Sequence, residues 1–395
     1  MIIRIIKFLK MLLKAKYSFK EPKNCNLIFF DDINKKVVKE LLKKYTYFIL
    51  QTRVDRINKI YLSFKILFLS IKNFRGNPLN TYLLALIEII KPKVVFTFID
   101  NSFKFSDFAR LKEKKHKFLA LQNGARYEHK IIKHLVERKK INPNYGKLYI
   151  PHFLCFGQYE INDYKSNNIE VKNFTKVGSL SLTNFINKIK KNKTKIKENL
   201  YDVCLISDAF CWDKILDKTS FPVEEGVAKL LKFTVRFSMK NKIKFIMSTR
   251  NPRGNSFQEE MEFYKNNLTK SEFKYLSKRF FFIRKDSFHT YKLMKQSKVV
   301  IGTMSTILRE NLFIKGKILH CNFTKTNIFD FPIKGICSLK ICDFHIFEKR
   351  LLQILSISKK SFFSKMKKKP SFIVEDNKIN STIKSVRNKL DIFLK

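Results

Sequence analysis

The stretch SKVVIGTMSTILREN, Ser297 to Asn311, holds the densest set of chemically useful groups in this 395-residue chain. A β-branched run ends at Gly302, a short turn follows, and Ser305 and Thr306 stand where a helix would begin. Arg309 and Glu310 lie about one turn further in. A helix N-terminus offers unsatisfied N–H groups and the positive end of a dipole, and hydroxyls there add donors to phosphate oxygens. Glu310 can accept bonds from ribose hydroxyls. The plain alternative is a Ser/Thr N-cap, common to helices at large. Arg250 strengthens the phosphate reading. Lys greatly outnumbers Arg here, so an Arg directly after the strand-like KFIMST is not what compositional bias supplies. Its guanidinium fork suits phosphate. Arg250 to Gly254 would line the same sheet edge, unless the segment is an ordinary surface loop.

A second group follows other strand-like runs. Asp100 and Asn101 close VVFTFI (Val94 to Ile99), and Gln122, Asn123 and Gly124 close FLALQ. Asp100 can act as general base for an acceptor hydroxyl, or it can cap the following helix. Gly124 permits a tight turn and close ligand approach. Arg126 and His129 follow, His129 as a second base candidate or as a surface histidine. There is no G-x-G-x-x-G and no G-x-x-x-x-G-K-[ST], which excludes the usual dinucleotide and P-loop sites. Without a D-x-D, a metal-bridged nucleotide site is not signalled, and no cofactor is implied.

The elements that must position these residues alternate regularly. Strand-like runs at Asn26–Phe30, Tyr47–Leu50, Val94–Ile99, Phe118–Gln122, Phe153–Gly157 and Phe174–Gly178 are separated by helical segments at about 33–44 and 79–90. Continuous Val, Ile and Phe runs between helices predict a parallel sheet covered on both faces. Residues 184–199, almost wholly Lys, Asn, Ile and Thr, read as a link. The alternation then restarts with DVCLIS, a helix over 223–240, KFIMST, FFFI, VVIG and ILHC. The expected fold is α/β: two Rossmann-like domains, 21–183 and 200–345, facing across a cleft, where open α/β sheets bind ligands. Basic helices over 346–395 follow.

The formal net charge of +48 accompanies an excess of Lys, Asn, Ile and Phe, residues that AT-rich codons supply, and a solvated lysine coat is the plain reading of it. A surface this basic still favours polyanions such as nucleotides or anionic lipid. Specific nucleic-acid binding is not expected, because zinc spacing, RRM signatures and a clustered basic module are all missing. Seven scattered cysteines without a C-x-x-C pair suggest reduced core thiols. Residues 1–20 carry Arg4, Lys7, Lys10 and Lys14 on one helical face with Ile and Leu on the rest. That predicts a basic amphipathic helix in a headgroup plane, or one packed on the protein's own core.

KPKVVFTFIDN, LALQNGAR, FLCFGQYE, KVGSL, YDVCLIS, SKVVIGTMSTILREN, CNFT and FPIKGICSL occur in that order. Together they resemble bacterial surface-carbohydrate (capsule or O-antigen type) biosynthesis transferases of GT-B architecture and, more distantly, the CDP-glycerol glycerophosphotransferases. The resemblance implies inverting, metal-independent sugar transfer from a nucleotide-activated donor to a surface polysaccharide or lipid-linked glycan, at the inner face of the cytoplasmic membrane. It implies donor contacts for Ser305, Thr306 and Glu310. The alternatives are glycerol- or polyol-phosphate transfer on the same fold, a basic nucleic-acid-binding protein, or a non-catalytic scaffold. Where relatives place His-Gly, this chain has Asn123-Gly124, and Asn cannot serve as a base.

Overall fold

The computed structural model describes residues 10–74, 76–137, 147–167, 169–193, 195–208, 223–250, 255–281, 288–375 and 382–395. The chain divides into two units, one of residues 1–123, 132–184 and 377–395, the other of 124–131 and 185–376.

The first unit contains β1 (Lys16–Ser18), β2 (Leu27–Phe30), β3 (Phe48–Leu50), β4 (Lys59–Tyr61), β5 (Val94–Thr97), β6 (Lys117–Leu121), β7 (Tyr149–Cys155) and β8 (Glu170–Lys176). Six of these form a parallel sheet in the order β3-β2-β5-β6-β7-β8, while β1 pairs with β4 apart from it. Alternation along β2 shows how the sheet is covered. Ile28 and Phe30 join one buried cluster with the helix Pro78–Ile90, whereas Leu27 and Phe29 join another on the opposite face. A strand buried on both faces has no reason to interrupt its apolar run with polar residues. The helix Pro78–Ile90 starts where the Asn77 side chain accepts the N–H of Asn80 at 3.0 Å and Pro78 occupies the first turn. It stops at Lys91, which adopts a left-handed φ of 52° directly before Pro92.

The second unit contains β9 (Tyr201–Ile206), β10 (Phe245–Ser248), β11 (Phe280–Phe281), β12 (Ser297–Gly302), β13 (Lys317–Cys321) and β14 (Ser338–Leu339). They form a second parallel sheet, ordered β11-β10-β9-β12-β13-β14. Counted within the unit that is 3-2-1-4-5-6, the Rossmann order, and the first sheet runs 2-1-3-4-5-6. Each sheet therefore reverses direction once: between β2 and β5 in the first, between β9 and β12 in the second.

Three expectations are corrected and one, the basic C-terminal helices, is extended. Residues 184–199 are not simply a link, since the helix Leu180–Lys191 runs through half of them with Phe185 buried against Phe288 and Tyr291. Its apolar residues Leu180 and Leu182 precede the Lys- and Asn-rich stretch. Gly124–Ile131 groups with the second unit, outside the expected 21–183 domain. The basic helix Thr382–Leu394 packs Val386 and Leu390 into the first unit and ties down through Asp391, which accepts the Tyr45 hydroxyl at 2.7 Å and pairs with Lys44. Finally, residues 1–20 are not one helix. Residues 1–9, with Arg4 and Lys7, lie outside the described residues; Met11 and Ala15 pack on Ile57 and Ile60, and Lys16–Ser18 is strand. Pairing with β4 satisfies backbone groups that a longer helix would have bonded internally.

Candidate functional site

The second sheet places its switch point between β9 and β12, and one side chain closes it. Asp208, two residues beyond β9, accepts the backbone N–H groups of Thr303 at 2.8 Å and Met304 at 2.9 Å through the same Oδ2. The turn after β12 is thereby pinned to the end of β9. Asp208 is buried, which pushes its carboxyl up, while the Met304 and Thr303 amides and the charge of Arg250 pull the other way. The amides of Thr303 and Met304, which precede the helix cap, are thus bonded to the protein's own carboxylate. An added Cβ at Gly302 would meet that oxygen at 3.5 Å, an ordinary contact.

Ser305 caps the helix Thr306–Phe313: its backbone is extended and its Oγ accepts the N–H of Ile307 at 3.3 Å. Thr306 Oγ1 accepts the N–H of Ala125 at 2.8 Å. Accepting one bond leaves each hydroxyl its O–H to donate, so both remain able to meet an anion. The close approach expected at Gly124 is made to Thr306, whose Oγ1 would lie 3.2 Å from a Cβ there. Arg309 and Glu310 are both buried. The Tyr291 hydroxyl sits 3.0 Å from each Glu310 oxygen, with the Phe185 ring against the Tyr291 ring.

Arg250 follows β10 with an exposed side chain, and its backbone N–H donates to Glu260 Oε1 at 3.1 Å. That oxygen also accepts the hydroxyls of Ser207, at 2.5 Å, and Tyr264. Burial and then the Glu260 charge raise Tyr264 well above the ordinary phenol range. A cavity of about 10 Å³ lies under this network, lined by Ser207, Asp208, Met247, Tyr264 and Thr303 among others. That is room for about one water. Asn251 to Gly254 lie outside the described residues.

In the first unit the expected residues sit at strand ends and bind them together. Asp100, 1% exposed, accepts the N–H of Asn123 and the hydroxyl of Tyr164, each at 3.2 Å. It is not the cap of the next helix; Ser102 is, accepting the N–H of Phe105 at 3.2 Å. Asn101 is half-buried beside it. Gln122 is fully buried, its Oε1 accepting the N–H of Phe156 at 2.7 Å and its Nε2 donating to Glu160. Across the first switch point, Asp31 after β2 accepts the Thr52 hydroxyl, the Arg53 Nε–H and the Ile33 N–H. Lys104 donates to the Thr52 carbonyl at 2.8 Å, its pKa lowered by burial and raised by Asp31. In the segment that groups with the second unit, Arg126 is half-buried and His129 is buried, so His129 is not the surface histidine of the alternative reading.

Sequence reasoning did not single out Asp31, Ser207, Asp208, Glu260, Tyr264 or Tyr291. A signal existed for the first three, because they follow strand-like runs just as Asp100 and Arg250 do. Glu260 and Tyr264 lie one turn apart on the helix Asn255–Asn267, and no local pattern marks them.

No protein-family model matches the chain, and no curated protein matches its sequence. Solved structures do. The UDP-GlcNAc 2-epimerase of Methanocaldococcus jannaschii, in complex with UDP-GlcNAc and UDP, is 12% identical with a TM-score of 0.53, covering 93% of this chain and 99% of that one. S. aureus MnaA with UDP is 11% identical with a TM-score of 0.55, covering 94% and 97%. The wall teichoic acid polymerase TagF, soaked with CDPG, is 10% identical with a TM-score of 0.50, covering 100% and 94%. Likeness of this extent establishes the fold: the chain has the GT-B architecture of two Rossmann-like domains.

Proposed function

We propose, from a fold shared with proteins solved holding UDP, UDP-GlcNAc or CDPG, that this chain is a transferase using a nucleotide-activated sugar. The observation that carries the reading is the second sheet's switch point, where Asp208 fixes the β12 turn and draws on the charge of Arg250. The donor diphosphate would lie on this edge, since the interior beneath it holds no more than a water. Arg250 and the hydroxyls of Ser305 and Thr306 would meet the phosphate oxygens. Donors held in place before the reaction stabilise the charge that develops on a departing nucleotide. Glu310 is buried on Tyr291, so in this reading the ribose reaches it by displacing that hydroxyl or by bonding to it.

The acceptor, a growing surface polysaccharide or lipid-linked glycan, would be handled by the segments that follow β5 and β6. Asp100 is the proposed base, with His129 as the second candidate; Asn101, Gln122, Asn123, Gly124 and Arg126 complete the acceptor loops. Asp100 already accepts bonds from the Asn123 N–H and the Tyr164 hydroxyl, so an acceptor hydroxyl would share the carboxylate with them. Transfer would be inverting and free of a metal, and the enzyme would work on the cytoplasmic face of the membrane. Among the described residues no helix is long and apolar enough to cross it.

Glycerol- or polyol-phosphate transfer is the second reading, favoured by the full-length likeness to TagF. Incubating the protein with candidate donors and acceptor, then weighing the product, separates the two. A hexose increment supports sugar transfer, and a glycerol-phosphate increment supports the second reading. Epimerised donor with an unchanged acceptor would overturn both.

A further inference from the structure

The helix Phe64–Lys72 is built to be buried on two sides and is covered on one. Ser63 caps it by accepting the N–H of Ile66 at 3.3 Å, Ile66 is fully buried, and Leu69 packs against the first unit's core beside the helix Pro78–Ile90. The other face shows Phe64 at 90% exposure, Leu67 at 45%, Phe68 at 59% and Ile71 at 78%, with Phe74 just beyond its end. These positions recur at three- and four-residue spacing, so they form one stripe. The patch continues onto the small sheet. Ser18 pairs with Tyr61, and Leu62 donates to the Ser18 carbonyl at 2.8 Å, which brings Phe19, 76% exposed, to the start of the same helix. Soluble surfaces seldom carry so many adjacent bare aromatic and aliphatic side chains without a partner.

Charge says what that partner is. Residues 10–20 and 59–74 contain seven lysines and no acidic residue, and all seven lysines are exposed. Lys65 and Lys72 sit on the helix and Lys20 follows Phe19. Of the carboxylates beside this face, Glu88 is engaged by Lys112 and by Asn73, and the exposed Glu21 follows Lys20. Exposed aromatic and aliphatic side chains ringed by lysines match the boundary between acyl chains and anionic headgroups. We infer that Phe19, the helix Phe64–Lys72 and Phe74 form a docking face for an anionic lipid surface, seated with the aromatic stripe among the headgroups. It gives the proposed acceptor-side membrane location a definite surface, and rests on that reading only for its purpose; vesicle binding needs neither donor nor acceptor.

The test is flotation of the full chain with vesicles of phosphatidylglycerol and phosphatidylcholine, against vesicles of phosphatidylcholine alone. Two variants are compared, F68S with I71S, and K65E with K72E; both alter only exposed side chains, and circular dichroism and melting check that each folds. Wild type should partition onto the anionic vesicles, and each double variant should bind about tenfold more weakly. Undiminished binding by the variants overturns the inference, as does equal binding of wild type to neutral vesicles. So does a change in sedimentation of F68S/I71S with unchanged flotation, because the face would then join copies of the chain. Nucleotide binding that is lost while flotation persists would count against the transferase reading alone.

Discussion

Replacing Asp208 tests the physical core of the switch point. In Asp208→Ala, the N–H groups of Thr303 and Met304 lose a charged acceptor at 2.8 and 2.9 Å while remaining buried. A hydrogen bond to a charged group contributes about 1.5–3 kcal/mol, and a buried amide left without a partner costs about 1–3 kcal/mol. Removing the carboxylate also removes its own desolvation, which offsets part of that loss. The net expectation is roughly 2–4 kcal/mol of lost stability, read from urea unfolding with two probes to check for separate transitions. Asp208→Asn keeps an acceptor oxygen and should lose only about 1 kcal/mol. The vacated position is a carboxylate-shaped anion site, so formate should restore Asp208→Ala. At tenfold excess over its dissociation constant, formate would return about 1.4 kcal/mol. A loss below about 0.5 kcal/mol in Asp208→Ala would refute the reasoning. Formate that helps wild type and variant equally, at matched ionic strength, would refute it too.

Two further perturbations address the fold that holds the site. Gly226 lies in the helix Val223–Lys240, where a Cβ would fall 2.8 Å from the Phe323 carbonyl carbon and the Thr324 nitrogen. Alanine in a helix interior normally stabilises by about 1 kcal/mol over glycine, so a loss of about 2 kcal/mol for Gly226→Ala would reverse the usual sign; a raised melting temperature would contradict the contact. His320, buried in β13, is held down to about 4 by burial, and His152 in the first unit likewise. Both folded values lie below the unfolded 6.5, so between pH 6.5 and 4 only the unfolded chain takes up the proton. Stability should be complete above 6.5 and fall with pH through that window, by about 3 kcal/mol for His320. His320→Asn should flatten the pH dependence of the second unit's melting, and an unchanged slope would count against it.

Much of the architecture was legible because buried parallel strands leave a strong local mark. LIFF, VVFT, VCLI and VVIG have no polar face, and each became a central strand. Caps were legible for the same reason: Ser305 ends an apolar run and begins a helix. What escaped depends on long-range fit. Nothing local in Thr382–Leu394 says that Val386 and Leu390 fill a groove more than 300 residues away in sequence, beside Val38 and Leu41. The partner of Asp208 is likewise 95 residues distant. Strand-end reasoning put Asp100, Arg250 and Ser305 shortly after β5, β10 and β12, where the structure has them. It did not reveal that acidic side chains already occupy part of both switch points, because burial and pairing are properties of the folded chain.

The central claim is that the second sheet's carboxyl edge holds a nucleoside diphosphate through Arg250. Isothermal titration of wild type and Arg250→Ala with UDP, CDP and GDP tests it most directly, since the Arg250 side chain is exposed and its loss should leave the fold intact. At least one nucleotide should bind wild type and bind the variant about 10- to 100-fold more weakly, the worth of one charge-assisted contact. If no nucleotide binds, or if Arg250→Ala binds as tightly as wild type, the claim is contradicted.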